Sequence, residues 1–90
     1  MHTVELLEEA IELAERSGFH VRAEWLAGRG TGWCVLKGQN CLFLDLSETP
    51  REQLDRVTQC LREQPQVLAA SMSPTLRRAL DVPQNVRKAA

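Results

Sequence analysis

Between residues 4 and 16, apolar side chains recur at helical spacing. Val4, Leu7, Ile11 and Ala14 form one stripe, which Leu6, Ala10 and Leu13 widen. Glutamates fill the remaining side, and those in the N-terminal half are favoured near the positive end of a helix dipole. Thr3 is the expected N-cap, and Gly18, after Ser17, sits where a left-handed residue ends a helix. The period then changes. Phe19 to Leu26 alternates, with Phe19, Val21, Ala23 and Trp25 on one side and His20, Arg22 and Glu24 on the other, as in a half-buried strand. Residues 27–31 hold Gly28 and Gly30, with Gly32 following, enough freedom for an irregular turn. Strands are expected near 32–37 and 40–46, flanking a hairpin turn at Lys37-Gly38-Gln39-Asn40.

Thr49-Pro50-Arg51-Glu52 is a capping box with proline at the first helical position, which predicts a helix over 50–63. Leu54, Val57 and Leu61 give its inward stripe with Cys60 beside them, and Glu52 and Arg56 make an i,i+4 pair on its outer surface. Gln64-Pro65 stops it. Val67–Met72 reads as a short fourth strand or a buried extended segment. Ser73-Pro74 opens a short helix over 74–81 with Leu76 and Leu80 inward, and residues 83–90 make a polar, flexible tail. The expectation is one α+β domain over 1–82, in the order α-β-β-β-α-(β)-α. Its antiparallel sheet has three or four strands, with two main helices on one face and a short C-terminal helix.

Strand phasing predicts what each face carries. Pairing Leu26 with Gly32 and Lys37 with Asn40 puts Phe19, Val21, Ala23 and Trp25 on the face of Trp33, Val35, Leu42, Leu44 and Leu46. The helices are expected there, against Trp25, Trp33 and Leu44. The other face collects Arg22, Glu24, Cys34, Leu36, Cys41, Phe43 and Asp45. In this register Leu36 lies between Arg22 and Cys41, and Cys34 between Glu24 and Phe43. An apolar centre with a charged rim is how interfaces are built, so Arg22, Glu24, Cys34, Leu36, Cys41 and Phe43 form the expected interaction site. Its partner is expected to be protein, a second copy of the chain included. The competing expectation is that residues 66–81 fold over this face.

Length and composition fit that picture. Ninety residues with 43% hydrophobic and 26% charged content describe one globular domain with a formal net charge of −1. A chain this size removes roughly 60–65% of its unfolded surface from water, so its stability is marginal. No run approaches the about 18 apolar residues that would span a bilayer. Five glutamates over residues 5–15 are incompatible with an export signal there, so the three cysteines are expected to be reduced thiols in the cytoplasm. The net negative balance, the absence of tyrosine and the small basic group Arg77, Arg78, Arg87 and Lys88 argue against nucleic acid as partner.

Candidate chemistry is sparse. Gly28-Arg29-Gly30-Thr31-Gly32 lacks the following helix and Lys-Ser/Thr of a phosphate-binding loop, and reads as a strand connection. Cys34, Cys41 and Cys60 match no zinc spacing and read as small buried hydrophobes, Cys34 and Cys41 being diagonal neighbours. Asp45, ending a strand, is expected to help the turn into the next helix. No catalytic set converges, so no enzyme activity and no cofactor are expected. The alternative is a small thiol- or metal-dependent enzyme using Cys34, Cys41 and His20.

The element order, and Gly30-Thr31-Gly32-Trp33-Cys34-Val35-Leu36-Lys37-Gly38 followed by Leu42-Phe43-Leu44-Asp45-Leu46-Ser47, resembles small bacterial proteins of unknown function over residues 4–81. More remotely, a helix, strands and a capped helix is similar to the N-terminal half of ImmA/IrrE-like zinc peptidases. In those the helix equivalent to 50–63 carries His-Glu-Xaa-Xaa-His. Here residues 54–61 contain no histidine, so the resemblance implies no peptidase activity.

Overall fold

The computed structural model describes residues 2–80. The first helix, α1 (Thr3–Arg16), starts one residue earlier than its periodicity suggests, because His2 rather than Thr3 is the N-cap. The His2 amide donates to Glu5 Oε1 at 3.2 Å. Leu6, Leu7, Ala10, Leu13 and Ala14 are buried, whereas Val4 stays exposed at the first turn. Gly18, with φ 101°, ends the helix: its amide donates to Glu15 O, and that of Phe19 to Ala14 O. This double reach-back turns the chain and drops Phe19 into the core.

The strands are β1 (His20–Glu24), β2 (Gly32–Leu36) and β3 (Gln39–Asp45). Their order is β1-β3-β2, with β1 parallel to β3 and β2 antiparallel to it. The sheet is therefore mixed, not antiparallel, and it has three strands. Leu26 does not pair with Gly32; β3 occupies the place between β1 and β2. Residues 25–31 cross the end of β3, where Asp45 accepts hydrogen bonds from the Leu26 and Gly30 amides at 3.1 and 2.8 Å. Those bonds hold the first strand to the side of β3 away from β2.

The hairpin register also moves. Lys37 and Gly38, at φ 53° and 78°, form a two-residue turn, so Leu36 rather than Lys37 closes the ladder, opposite Gln39. Against the predicted pairing this is a slip of two residues, which preserves which face each side chain takes. Val21, Ala23, Trp33, Leu42 and Leu44 share one face; Arg22, Glu24, Cys34, Leu36, Cys41 and Phe43 share the other.

The second long helix, α2 (Pro50–Arg62), opens on the predicted box: Thr49 Oγ1 accepts from the Glu52 amide and Glu52 Oε1 accepts from the Thr49 amide. Because Glu52 is engaged there, Arg56 pairs with Glu48 at 3.7 Å instead. Helices α1 and α2 pack on each other and on the Leu42/Leu44 face of the sheet. The tryptophans are outside that core, Trp25 at 70% exposure and Trp33 at 37%, so Leu42, Leu44, Phe19 and Val21 are what the helices cover.

Where a fourth strand was an option, α3 (Pro65–Leu68) forms a single turn. Pro65 starts it, and the Val67 and Ala69 amides donate locally to Gln64 O and Pro65 O rather than to a sheet edge. A last helix, α4 (Pro74–Leu80), buries Leu76 and Leu80 against α1 and α2. Its start is fastened to α1: the Ser73 amide and Oγ donate to the Glu9 carboxylate at 2.8 and 2.7 Å, and Ser73 Oγ accepts from the Leu76 amide. Residues 65–80 thus extend the helical layer and do not fold over the opposite sheet face. The predicted tail at 83–90, with Arg87 and Lys88, lies outside the described residues.

Candidate interaction surface

On the sheet face away from the helices, the three strands set side chains in rows. Arg22, Phe43 and Gly32 make one row, His20, Cys41 and Cys34 the next, and Gln39 stands beside Leu36 at the turn end. The centre of the face is β3, not β2. Leu36 therefore lies at the margin rather than between Arg22 and Cys41, and Cys34 stands directly opposite Cys41, not diagonal to it. Cys41 is buried between its flanking strands, Phe43 is half-buried, and Cys34 and Leu36 are exposed, Leu36 at 51%. Gly32 leaves Phe43 without a side chain on its β2 flank, while on the β1 flank stands Arg22, paired with Glu24 at 2.8 Å.

All three cysteines are free thiols. Cys41 and Cys60 are buried as expected of small hydrophobes, but Cys34 is not. Burial, reinforced by the Glu63 carboxylate, pushes the Cys60 thiol up to about 12, which leaves it unreactive at neutral pH. Cys41 Sγ reaches Gln39 O at 3.6 Å. The register brings His20, Cys41 and Cys34 abreast, but neighbouring strands lie about 4.8 Å apart, so the row spans about 10 Å. Among the described residues no group of three His, Cys, Asp or Glu side chains is placed to hold a metal ion.

The face is anchored at one end by Asp45, whose importance the sequence understated. Its carboxylate takes the Leu26, Gly30 and Ser47 amides and the Ser47 hydroxyl, the last at 2.6 Å. Burial alone would raise its pKa; the hydrogen bonds from the Ser47 hydroxyl and amide and the Gly30 and Leu26 amides outweigh it. The group is held well below the usual carboxylate range. Its backbone is tied as well: the Asp45 amide donates to Thr31 Oγ1 at 2.9 Å, and Gln53 Nε2 of α2 donates to Asp45 O at 2.9 Å. Glu48 Oε1 accepts from the Thr31 amide. Gly30, at φ 95°, passes so close to Arg56 and Glu48 that a Cβ there would lie 3.4 Å from both side chains. Every acceptor of this cluster is used within the fold. Asp45 is thus a structural clamp that shapes the crossover rather than a reacting group.

Beside Leu36 at the free margin, Val35 (62% exposed) and Trp33 are the part of the surface that alternation did not single out, because it assigned both to the face the helices cover. The signal was present as an uncharged run, Trp33-Cys34-Val35-Leu36, in which both parities are apolar. No protein-family model, curated protein or solved structure matches this chain. Among the described residues no helix is long and apolar enough to cross a membrane.

Proposed function

We propose that this chain is a small protein-interaction module that docks protein, a second copy of itself included, through the helix-free face of its sheet. The observation that carries the reading is the placement of Phe43, Leu36 and Cys34 on that face, beside the Arg22–Glu24 ion pair, with α3 and α4 packed elsewhere. Burying exposed apolar surface at about 25 cal/mol per Å2 favours association, against which the entropy of association must be set. The test is the mass in solution of wild type and Phe43→Asp at high micromolar concentration. Wild type above the 10.1 kDa of one chain, and a folded monomeric variant, support the reading; a monomeric wild type removes self-association.

A second reading, a thiol- or metal-dependent enzyme, draws support from the single row that His20, Cys41 and Cys34 form. Stoichiometric zinc in purified protein, or alkylation of Cys34 far faster than a free thiol's, would favour it. Purified protein without zinc, together with Cys34 alkylation at a free thiol's rate, would overturn it.

A further inference from the structure

We propose that β2 is the docking strand for a second copy of this chain, the two β2 strands pairing antiparallel along their free edges about a two-fold axis at Cys34. The inference rests on the interaction-module reading and adds the partner and the route. Among the described residues no strand pairs with the outer edge of β2.

Hydrogen-bonding parity selects the register. The two-residue turn at Lys37-Gly38 makes Leu36 and Gln39 the closing pair, so Leu36, Cys34 and Gly32 direct their backbone groups to β3. Trp33 and Val35 then point theirs outward. Two copies centred on Cys34 place Trp33 opposite Val35 of the other copy, twice over, and satisfy four outward-facing N–H groups and four carbonyls by mutual exchange. The pairing uses the whole strand and stops at its ends, where the Thr31 amide is already taken by Glu48.

Side chains fit the same register. On the helix side, Trp33 meets Val35 of the other copy, both exposed in one chain. On the other side, Leu36 of one copy lies across Gly32 of the other, and the next residue in that row is Phe43. The missing Cβ at Gly32 leaves a gap that Leu36 can enter, covering Phe43 from its open flank. Cys34 faces Cys34 in a non-hydrogen-bonded pair, where side chains approach most closely.

The two edges of the sheet differ in the way this proposal requires. β1 carries the Arg22–Glu24 pair, the kind of charge that blunts an edge against pairing, whereas Gly32–Leu36 has no charge and no proline. A formal net charge of −1 leaves two copies little mutual repulsion. Pairing over five residues makes a small contact, of the size class that holds weak and transient partners.

The test is sedimentation equilibrium across the micromolar range for wild type, Cys34→Lys, Val35→Pro and Phe43→Asp, with circular dichroism as the folding check. Cys34→Lys sets two like charges against each other at the axis from an exposed position, and weakens pairing by about tenfold. Val35→Pro removes an outward N–H that the β2–β3 ladder does not use, and abolishes pairing. If that variant fails to fold, Val35→Lys decides, because Val35 is exposed on the helix side and takes no part in docking through the opposite face. In a Cys41→Ala background, diamide, which takes up two electrons and two protons per disulfide, should link two chains through Cys34; Cys34→Ser should not link. A dimer untouched by Cys34→Lys and Val35→Pro but lost in Phe43→Asp overturns edge pairing and leaves face docking standing. A wild type that stays monomeric overturns both modes of self-association.

Discussion

Thr31 and Thr58 are buried to the same degree, each at 4% exposure, yet the same substitution should destabilise the first and leave the second nearly unchanged. Thr31 Oγ1 is the acceptor for the Asp45 amide at 2.9 Å. Thr31→Val keeps the shape and strands that amide in a fully buried residue, at a cost of about 1–3 kcal/mol. Thr58 Oγ1 donates back to Asp55 O at 3.0 Å within α2, where that carbonyl has its own helical partner. Losing a back-bond of this kind leaves nothing unpaired, so Thr58→Val should lie within about 0.5 kcal/mol of wild type. Urea unfolding followed by circular dichroism measures both, an unchanged slope showing that only stability has moved. A 2 kcal/mol loss would lower the thermal midpoint by about 8–16 °C in a domain of this size. Two variants of equal stability, or Thr58→Val as the weaker, would refute the role assigned to the Thr31–Asp45 bond.

The Asp45 clamp has a pH signature. Its folded pKa lies below the unfolded value of about 3.9, so its stabilisation is complete above that value and drains away as pH falls toward the folded one. Asp45→Asn should therefore be less stable than wild type at pH 7, with the gap narrowing below about pH 4; a constant gap from pH 7 to 3 would contradict this. Native-state labelling with iodoacetamide should modify Cys34 alone, with Cys41 and Cys60 reacting only on unfolding, as peptide mapping would show. Glu9→Ala and Ser73→Ala should each cost about 1–3 kcal/mol, and the double variant no more than the larger; additive losses in a double-mutant cycle would mean that the two residues act separately.

Local chemistry was readable from the residues, and long-range neighbours were not. The Thr49–Glu52 box and the Gly18 terminator act over three or four residues, so the sequence contains the whole interaction. Side-chain parity was readable for the same reason: a hairpin slip of two residues leaves Phe43 and Trp33 on opposite faces. Strand order is different, because alternation is identical whichever strand lies alongside. What places β3 between β1 and β2 is Asp45 reaching Leu26 and Gly30 from 15 to 19 residues away, through a residue type that also ends strands for ordinary reasons. Trp25 shows the limit of hydrophobic phase. It has the correct parity for the core but lies beyond the last paired residue of β1, which leaves it 70% exposed.

The position of β3 also changes where the exposed apolar surface of the sheet lies. With β2 in the middle, the apolar residues of the helix-free face would have formed a central patch suited to face-on docking. With β3 in the middle, Cys41 is enclosed by its own flanking strands and Phe43 is half-covered. The exposed apolar surface is thereby displaced to β2, whose Trp33 and Val35 look toward the helix side while Cys34 and Leu36 look away from it. A flat partner on one face would leave the apolar side chains on the other side of that strand uncovered. A partner strand, which offers side chains to both sides and backbone groups to the edge between them, meets all three requirements at once.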